Sequence, residues 1–169
     1  ATHLPYIDKK KELVGYTNCT AIENGWVWNI PLWHRMGTGY VYSDKYISDE
    51  DALKQFKKYL NRDDLDFRPL KMRVGIHKKI FVKNVCAIGL SAGFIEPLES
   101  NWLLSVHEFL VRLVRILNRK NISTFVKEQF NVSCNKFFRN FAEFVAMHYA
   151  LSERTDTEYW RDIQKRDYP

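Results

Sequence analysis

Two carboxylates three residues apart, Glu96 and Glu99, flank Pro97 in the stretch Gly89-Leu-Ser-Ala-Gly-Phe-Ile-Glu-Pro-Leu-Glu-Ser100. Carboxylates held by a scaffold can accept and return protons. The surroundings suggest a second capacity. Upstream lies an apolar run, Phe81-Val82 and then Val85 to Leu90, of strand composition. Gly89 and Gly93 interrupt it, permitting backbone shapes other residues resist. Downstream the spacing predicts a helix whose first turn accommodates Pro97. The stretch thus reads as strand, glycine-containing loop and helix N-terminus. Free N–H groups and the positive dipole end gather there and suit an anion or an electron-rich ring edge. Geometry of this kind also describes an ordinary connection, with Glu96 and Glu99 merely stabilising a first helical turn.

Other residues compete for a chemical role. Trp26 and Trp28, in Gly25-Trp-Val-Trp-Asn-Ile-Pro31, stand two apart on a predicted strand and share one face. Paired tryptophans on a sheet face are ordinarily core. Gly37-x-Gly39 lacks the third glycine and following helix of a phosphate loop, so Gly37 to Tyr40 reads as a hairpin turn before a strand at Tyr40 to Ser43. Cys19, Cys86 and Cys134 lack metal-ligand spacing; reduced thiols are expected, and no metal site. His107 reads as a packed or surface histidine, and His148-Tyr149 is assigned no chemistry. Arg73 reads as an ordinary strand residue.

The expected elements follow from periodicity. Lys9 to Glu12 is an exposed turn; Tyr16 to Ile22 and Gly25 to Leu32 are strands. Ser48 caps a helix to about Leu60, with Leu53, Phe56 and Leu60 on one face and Asp51 reaching back to the cap. Lys71 to Val74 and Ile80 to Leu90 are paired strands. The helix after Pro97 runs to about Asn118, so apolar on nearly all sides that it should be central and buried. Two short helices follow, one through Ile122 to Phe130 and one through Phe137 to His148, then a last helix capped by Thr155 or Asp156.

The wording of two motifs goes further than their spacing. Gly89 to Ser100 closely resembles the flavin-proximal signature of the flavin-dependent, tryptophan-type halogenases. Gly25-Trp-Val-Trp-Asn-Ile-Pro31 resembles that family's Gly-Trp-x-Trp-x-Ile-Pro signature, in the same chain order. His34 to Ser43, Phe144 to Tyr149 and Asp156 to Trp160 are also similar, so the resemblance covers most of the chain. It implies an α+β piece of a flavin-monooxygenase-like fold: strands of the substrate- and flavin-facing sheet over about 1–95, then a long buried helix and a helical part over about 96–169.

The resemblance also implies a reaction. Reduced FAD, supplied by a separate flavin reductase, works with oxygen and a halide (chloride, bromide or iodide) to make hypohalous acid. The acid travels to a lysine and a glutamate beside an electron-rich aromatic substrate, indole-, phenol- or pyrrole-like. Carried over, the glutamate is Glu99. The halide falls to the N–H groups of Asn101 and Trp102, with Ser100 mediating between the sites. Gly89, Leu90, Ser91, Ala92, Gly93 and Phe94 line the flavin. Trp26, Trp28, Ile30 and Pro31 wall the reaction space and keep the flavin from oxygenating the substrate directly. The family pattern has Thr at Asn101 and commonly a small residue at Trp102, which puts pocket size and halide preference in question. Glu99 suits proton handling provided partial burial raises its pKa. The family's Gly-x-Gly-x-x-Gly loop and catalytic lysine have no counterpart in the sequence, so the chain reads as an internal piece, inactive alone, whose partner is the remaining N-terminal part of the same enzyme. A homodimer is compatible with this.

Composition bounds the rest. The 169 residues are 46% hydrophobic and 15% aromatic, enough for a domain-sized core. The formal charge of +6 is spread along the chain rather than run together, apart from Lys9-Lys-Lys11 and Arg119-Lys120, which argues against nucleic acid. No uncharged apolar run approaches the length of a membrane span. A cytoplasmic protein fits. The alternatives are a related FAD-dependent aromatic monooxygenase and a helical binding or structural module.

Overall fold

The computed structural model describes residues 1–166, the Asn101 side chain excepted. It is a mixed helix-and-sheet, α+β structure with two compact units, residues 1–70 with 152–166 and residues 71–151.

The first unit is built on an antiparallel sheet of β1 (Thr2–Leu4), β2 (Asn18–Ile22), β3 (Gly25–Leu32) and β4 (Arg35–Tyr42), in the order β1-β4-β3-β2. Lys9–Glu12 makes one helical turn, α1, with no buried residue. β3 is the best-buried strand: Trp26 is 5% exposed and Val27 fully buried, so both faces are covered there. The expected hairpin at Gly37 to Tyr40 is not formed. The turn lies at Trp33-His34, and both glycines sit inside β4. The register explains them. Trp28 pairs with Gly39, and a Cβ on Gly39 would stand 2.3 Å from the Trp28 ring. The missing side chain lets the indole lie flat across the neighbouring strand.

α2 (Asp49–Leu60) starts where expected: the Ser48 hydroxyl accepts the Asp51 N–H at 3.2 Å, and the Ser48 O–H donates to the Asp51 carboxylate at 3.0 Å. Its buried residues are Ala52 and Phe56, while Leu53 is exposed. α5 (Glu158–Gln164) is capped by Thr157, not by Thr155 or Asp156. The Thr157 hydroxyl donates to the Glu23 carbonyl at 2.7 Å, and Trp160 Nε1–H to the Ile22 carbonyl at 2.7 Å, tying α5 to the β2–β3 turn.

The second unit has little regular sheet. β5 (Gly75–Ile76) pairs with β8 (Gly93–Phe94), and β6 (Phe81–Val82) with β7 (Val85–Cys86), each two residues long. The expected strands at Lys71 to Val74 and through Leu90 are absent: Lys83-Asn84 turns the chain back, and Gly89–Ser91 is a 3₁₀ turn. What the apolar run supplies is core. Ile80, Phe81 and Ala92 pack with Phe109, Ile116, Phe130 and Cys134. Asn131, 3% exposed, fastens the hairpin: its Oδ1 accepts the Ile80 and Phe81 N–H groups and its Nδ2 donates to the Phe81 carbonyl.

α3 (Asn101–Leu117) and α4 (Thr124–Ala150) complete this unit. α3 is not buried all round. Phe109 and Ile116 face the core, whereas Leu103, Leu110, Val114 and Leu117 are exposed. Its continuous apolar composition therefore does not measure burial within this chain. The two short helices expected after it are one 27-residue helix, because the intervening Val132 to Lys136 contains neither Gly nor Pro to break it. The charge also segregates more than its spread along the sequence suggests. Residues 71–151 hold twelve Lys and Arg against five Asp and Glu, while residues 1–70 with 152–166 hold fourteen of each.

Candidate functional site

The Glu-Pro-Leu-Glu segment enters α3 differently from a simple first turn. Leu98–Ser100 forms a 3₁₀ turn, and α3 begins only at Asn101, four residues after Pro97. Glu99 (φ 62°) and Ser100 (φ 50°) are both left-handed. Glu96 and Glu99 therefore both precede the first turn of α3, and neither Glu99 nor Ser100 is glycine, so each of these two carries a backbone cost of about 1–2 kcal/mol. Backbone held in such a state by its surroundings is characteristic of functional segments. The chain doubles back here: the Ser100 N–H is used, donating to the Pro97 carbonyl at 3.1 Å. The Ser100 side chain does not cap the helix. Asn101 and Trp102 are then the first two residues of α3, where amides point outward along the dipole. Glu99, Ser100 and Trp102 are exposed rather than sealed in packing. Beside Trp102, a shallow surface depression is walled by Phe94, Phe137, Phe138 and Phe141.

Burial falls on the other carboxylate. Desolvation pushes the Glu96 carboxyl above its ordinary 4.5, opposed by the Tyr149 hydroxyl and the charge of His148. Tyr149 donates to Glu96 Oε2 at 2.6 Å. Its neighbour His148 stands with Nε2 3.6 Å from Glu99 Oε1 and Nδ1 3.0 Å from the Phe144 carbonyl. Sequence reasoning assigned His148-Tyr149 no chemistry, yet these two adjacent residues near the end of α4 address both carboxylates. The signal available was a His-Tyr pair at the end of a predicted helix.

The Gly89 to Phe94 segment is partly committed to packing. Gly89 is left-handed (φ 66°), and a Cβ there would press on Val106 at 3.1 Å. A Cβ on Gly93 would stand 2.5 Å from the Gly75 carbonyl, so this glycine serves the β5–β8 pair. The Ser91 hydroxyl is held by Ile88. Ala92 is buried, while Leu90 and Ser91 are exposed, so Leu90 is the outward apolar side chain at the turn. In the first unit, Trp26 is buried, Trp28 and Pro31 are partly so, and Ile30 is exposed.

Comparison with known proteins decides the family. The tryptophan halogenase family model matches residues 4–169. The chain belongs to the tryptophan halogenase family. It is 33% identical over 171 residues to 7-chloro-L-tryptophan 6-halogenase KtzR of Kutzneria sp. (strain 744), covering 100% of this chain and 33% of that protein. The VirX1 apo structure superimposes with a TM-score of 0.95 at 42% identity, covering 99% of this chain and 33% of that one. The crystal structure of tryptophan 6-halogenase SttH from Streptomyces toxytricini does so with a TM-score of 0.92 at 33% identity, again over 99% and 33%. The chain of this family member thus spans about a third of the length of the relatives it matches.

Proposed function

We infer that this chain is the part of a longer flavin-dependent halogenase that carries the catalytic glutamate and the halide seat, and that the whole enzyme halogenates an electron-rich aromatic compound of the indole class. Family membership supports the reaction class, and the relatives named above as tryptophan halogenases support the substrate class. One observation carries the assignment to residues: the left-handed pair Glu99-Ser100, which sets an exposed carboxylate directly ahead of the first amides of α3. In this reading Glu99 accepts a proton at its carboxylate during substitution on the ring. The N–H groups of Asn101 and Trp102 hold chloride, bromide or iodide, and Ser100 bridges the two. Backbone amides suit the task because hypohalous acid does not consume them as it would an amine.

The residues present fit a flavin in a limited sense. The outward Leu90 and the backbone of Gly89 to Phe94 would hold the ring, which when bound and reduced supplies the chemistry that activates oxygen. A separate reductase would supply its electrons. Gly93 contributes through strand packing rather than as a cradle. Of the signature residues Trp26, Trp28, Ile30 and Pro31, Trp26 is buried in the first unit's own sheet, so a role facing ligand would fall to Trp28, Ile30 and Pro31. The exposed α3 stripe of Leu103, Leu110, Val114 and Leu117 is the surface on which further parts of the same enzyme would pack.

The test is an aromatic halogenation assay on the complete enzyme with FAD, a flavin-reducing system, oxygen and bromide. Brominated indole is expected, and Glu99→Gln should lower kcat by about 10²–10⁴-fold. Bromination by E99Q at the parental rate would remove Glu99 from the mechanism. A hydroxylated product, formed equally with and without bromide, would replace halogenation by monooxygenation.

A further inference from the structure

We propose that His148 is a positioning residue for Glu99, acting with Tyr149 as the two-pronged clamp by which the last turn of α4 fixes the Glu-Pro-Leu-Glu segment. The inference rests on the halogenase reading of Glu99 and deepens it. Four observations support it. The Phe144 carbonyl can only accept, so the 3.0 Å contact assigns the Nδ1 position a proton and fixes the ring. That leaves Nε2 as the nitrogen turned to Glu99 Oε1, at 3.6 Å. The ring is further held edge-on against Phe144, with centroids 5.0 Å apart. Tyr149 grips Glu96 at 2.6 Å, three residues before Glu99, so both ends of the segment are tethered to the same helical turn.

The need for such a clamp follows from the backbone. Two successive left-handed residues that are not glycine relax unless their surroundings hold them, and Glu99 is itself exposed. The titratable groups gathered here are Glu99 and Glu96 from the segment, and His148 and Tyr149 from α4. With Nδ1 donating to the Phe144 carbonyl, Nε2 is the nitrogen left to face Glu99, and it pairs with the carboxylate when the ring carries its second proton. His148 therefore acts through Glu99 and does not itself touch substrate or flavin in this assignment.

The experiment compares His148→Ala, His148→Gln and Glu99→Gln with the parent complete enzyme in the bromination assay, measuring kcat and KM for the aromatic substrate separately. H148A should lower kcat about tenfold or more while leaving KM within about twofold, as loss of a supporting contact does. H148Q, which keeps an N–H near the Nε2 position, should recover part of that loss. In the E99Q background H148A should lower kcat no further, because its target is gone. Parental kcat in H148A alongside a disabled E99Q overturns the clamp and leaves the halogenase reading standing. Parental activity in E99Q overturns both. Should H148A fail to fold, H148Q decides: a kcat equal to that of the parent, or a loss expressed only in KM, overturns the proposal.

Discussion

Residues 1–70 with 152–166 and residues 71–151 solve different problems with similar chain lengths. The first unit closes a four-stranded sheet with an uninterrupted register of eight residue pairs between β3 and β4. The second manages only two-residue strands and relies on side chains such as Asn131 to finish its backbone hydrogen bonds. Of the four left-handed residues other than glycine among the described residues, Asn61 ends a helix in the first unit; Lys83, Glu99 and Ser100 lie in the second. The net positive charge is confined to the second as well, and such a field raises the local concentration of small anions. The first unit rests on regular pairing. In the second, the backbone departs from regularity at Glu99 and Ser100, directly ahead of the first amides of α3.

The largest stability effect that would sharpen this contrast is at Asn131. Asn131→Ala should remove about 2–3 kcal/mol, because two buried N–H groups of Ile80 and Phe81 lose their acceptor. Denaturant unfolding measures it, and a loss well below about 1 kcal/mol would show that the second unit does not depend on side-chain fasteners. Gly39→Ala comes next. The added methyl meets the Trp28 ring, and overpacking of this kind should cost about 1–3 kcal/mol. A thermal melt with tryptophan fluorescence would follow it, and an unchanged indole environment would refute the flat stacking of Trp28 on β4. The smallest effect concerns Glu96. Its carboxyl is raised in the folded protein, so it favours folding below its ordinary value and costs stability as pH rises through the raised one. Glu96→Gln should therefore gain stability relative to the parent on going from about pH 4 to about pH 8. The opposite trend would place the burial elsewhere.

The sequence made some of this legible for definite physical reasons. Ser48 with Asp51 announced α2 through a local hydrogen bond, and Trp26 with Trp28 announced β3 through alternation and aromatic content. The family was legible in two short motifs, because their wording is far more specific than their spacing. Nothing local could reveal that Gly37 and Gly39 serve Trp28, since the reason lies on the partner strand. Glycine was read there as a turn when it was making room. The start of α3 was misplaced because Pro97 is a good first-turn residue, while left-handed Glu99 and Ser100 have no sequence signature. The apolar surface of α3 suggested burial, but composition records that a face wants cover, not where the cover comes from. His148 was assigned no chemistry because its partner is a carboxylate 49 residues away.

The length of α4 has a mechanical consequence. Asn131 and His148 are 17 positions apart on one unbroken helix, a distance of about 26 Å along its axis. The helix is thus a stiff rod gripped near one end by the β6–β7 hairpin and fingering the carboxylate segment near the other. A tilt of about 2° about Asn131 would swing the imidazole by about 1 Å, comparable to the tolerance of a reacting geometry. Engineers seeking to retune turnover could work on the remote hairpin, leaving untouched every residue proposed to meet the halide or the ring.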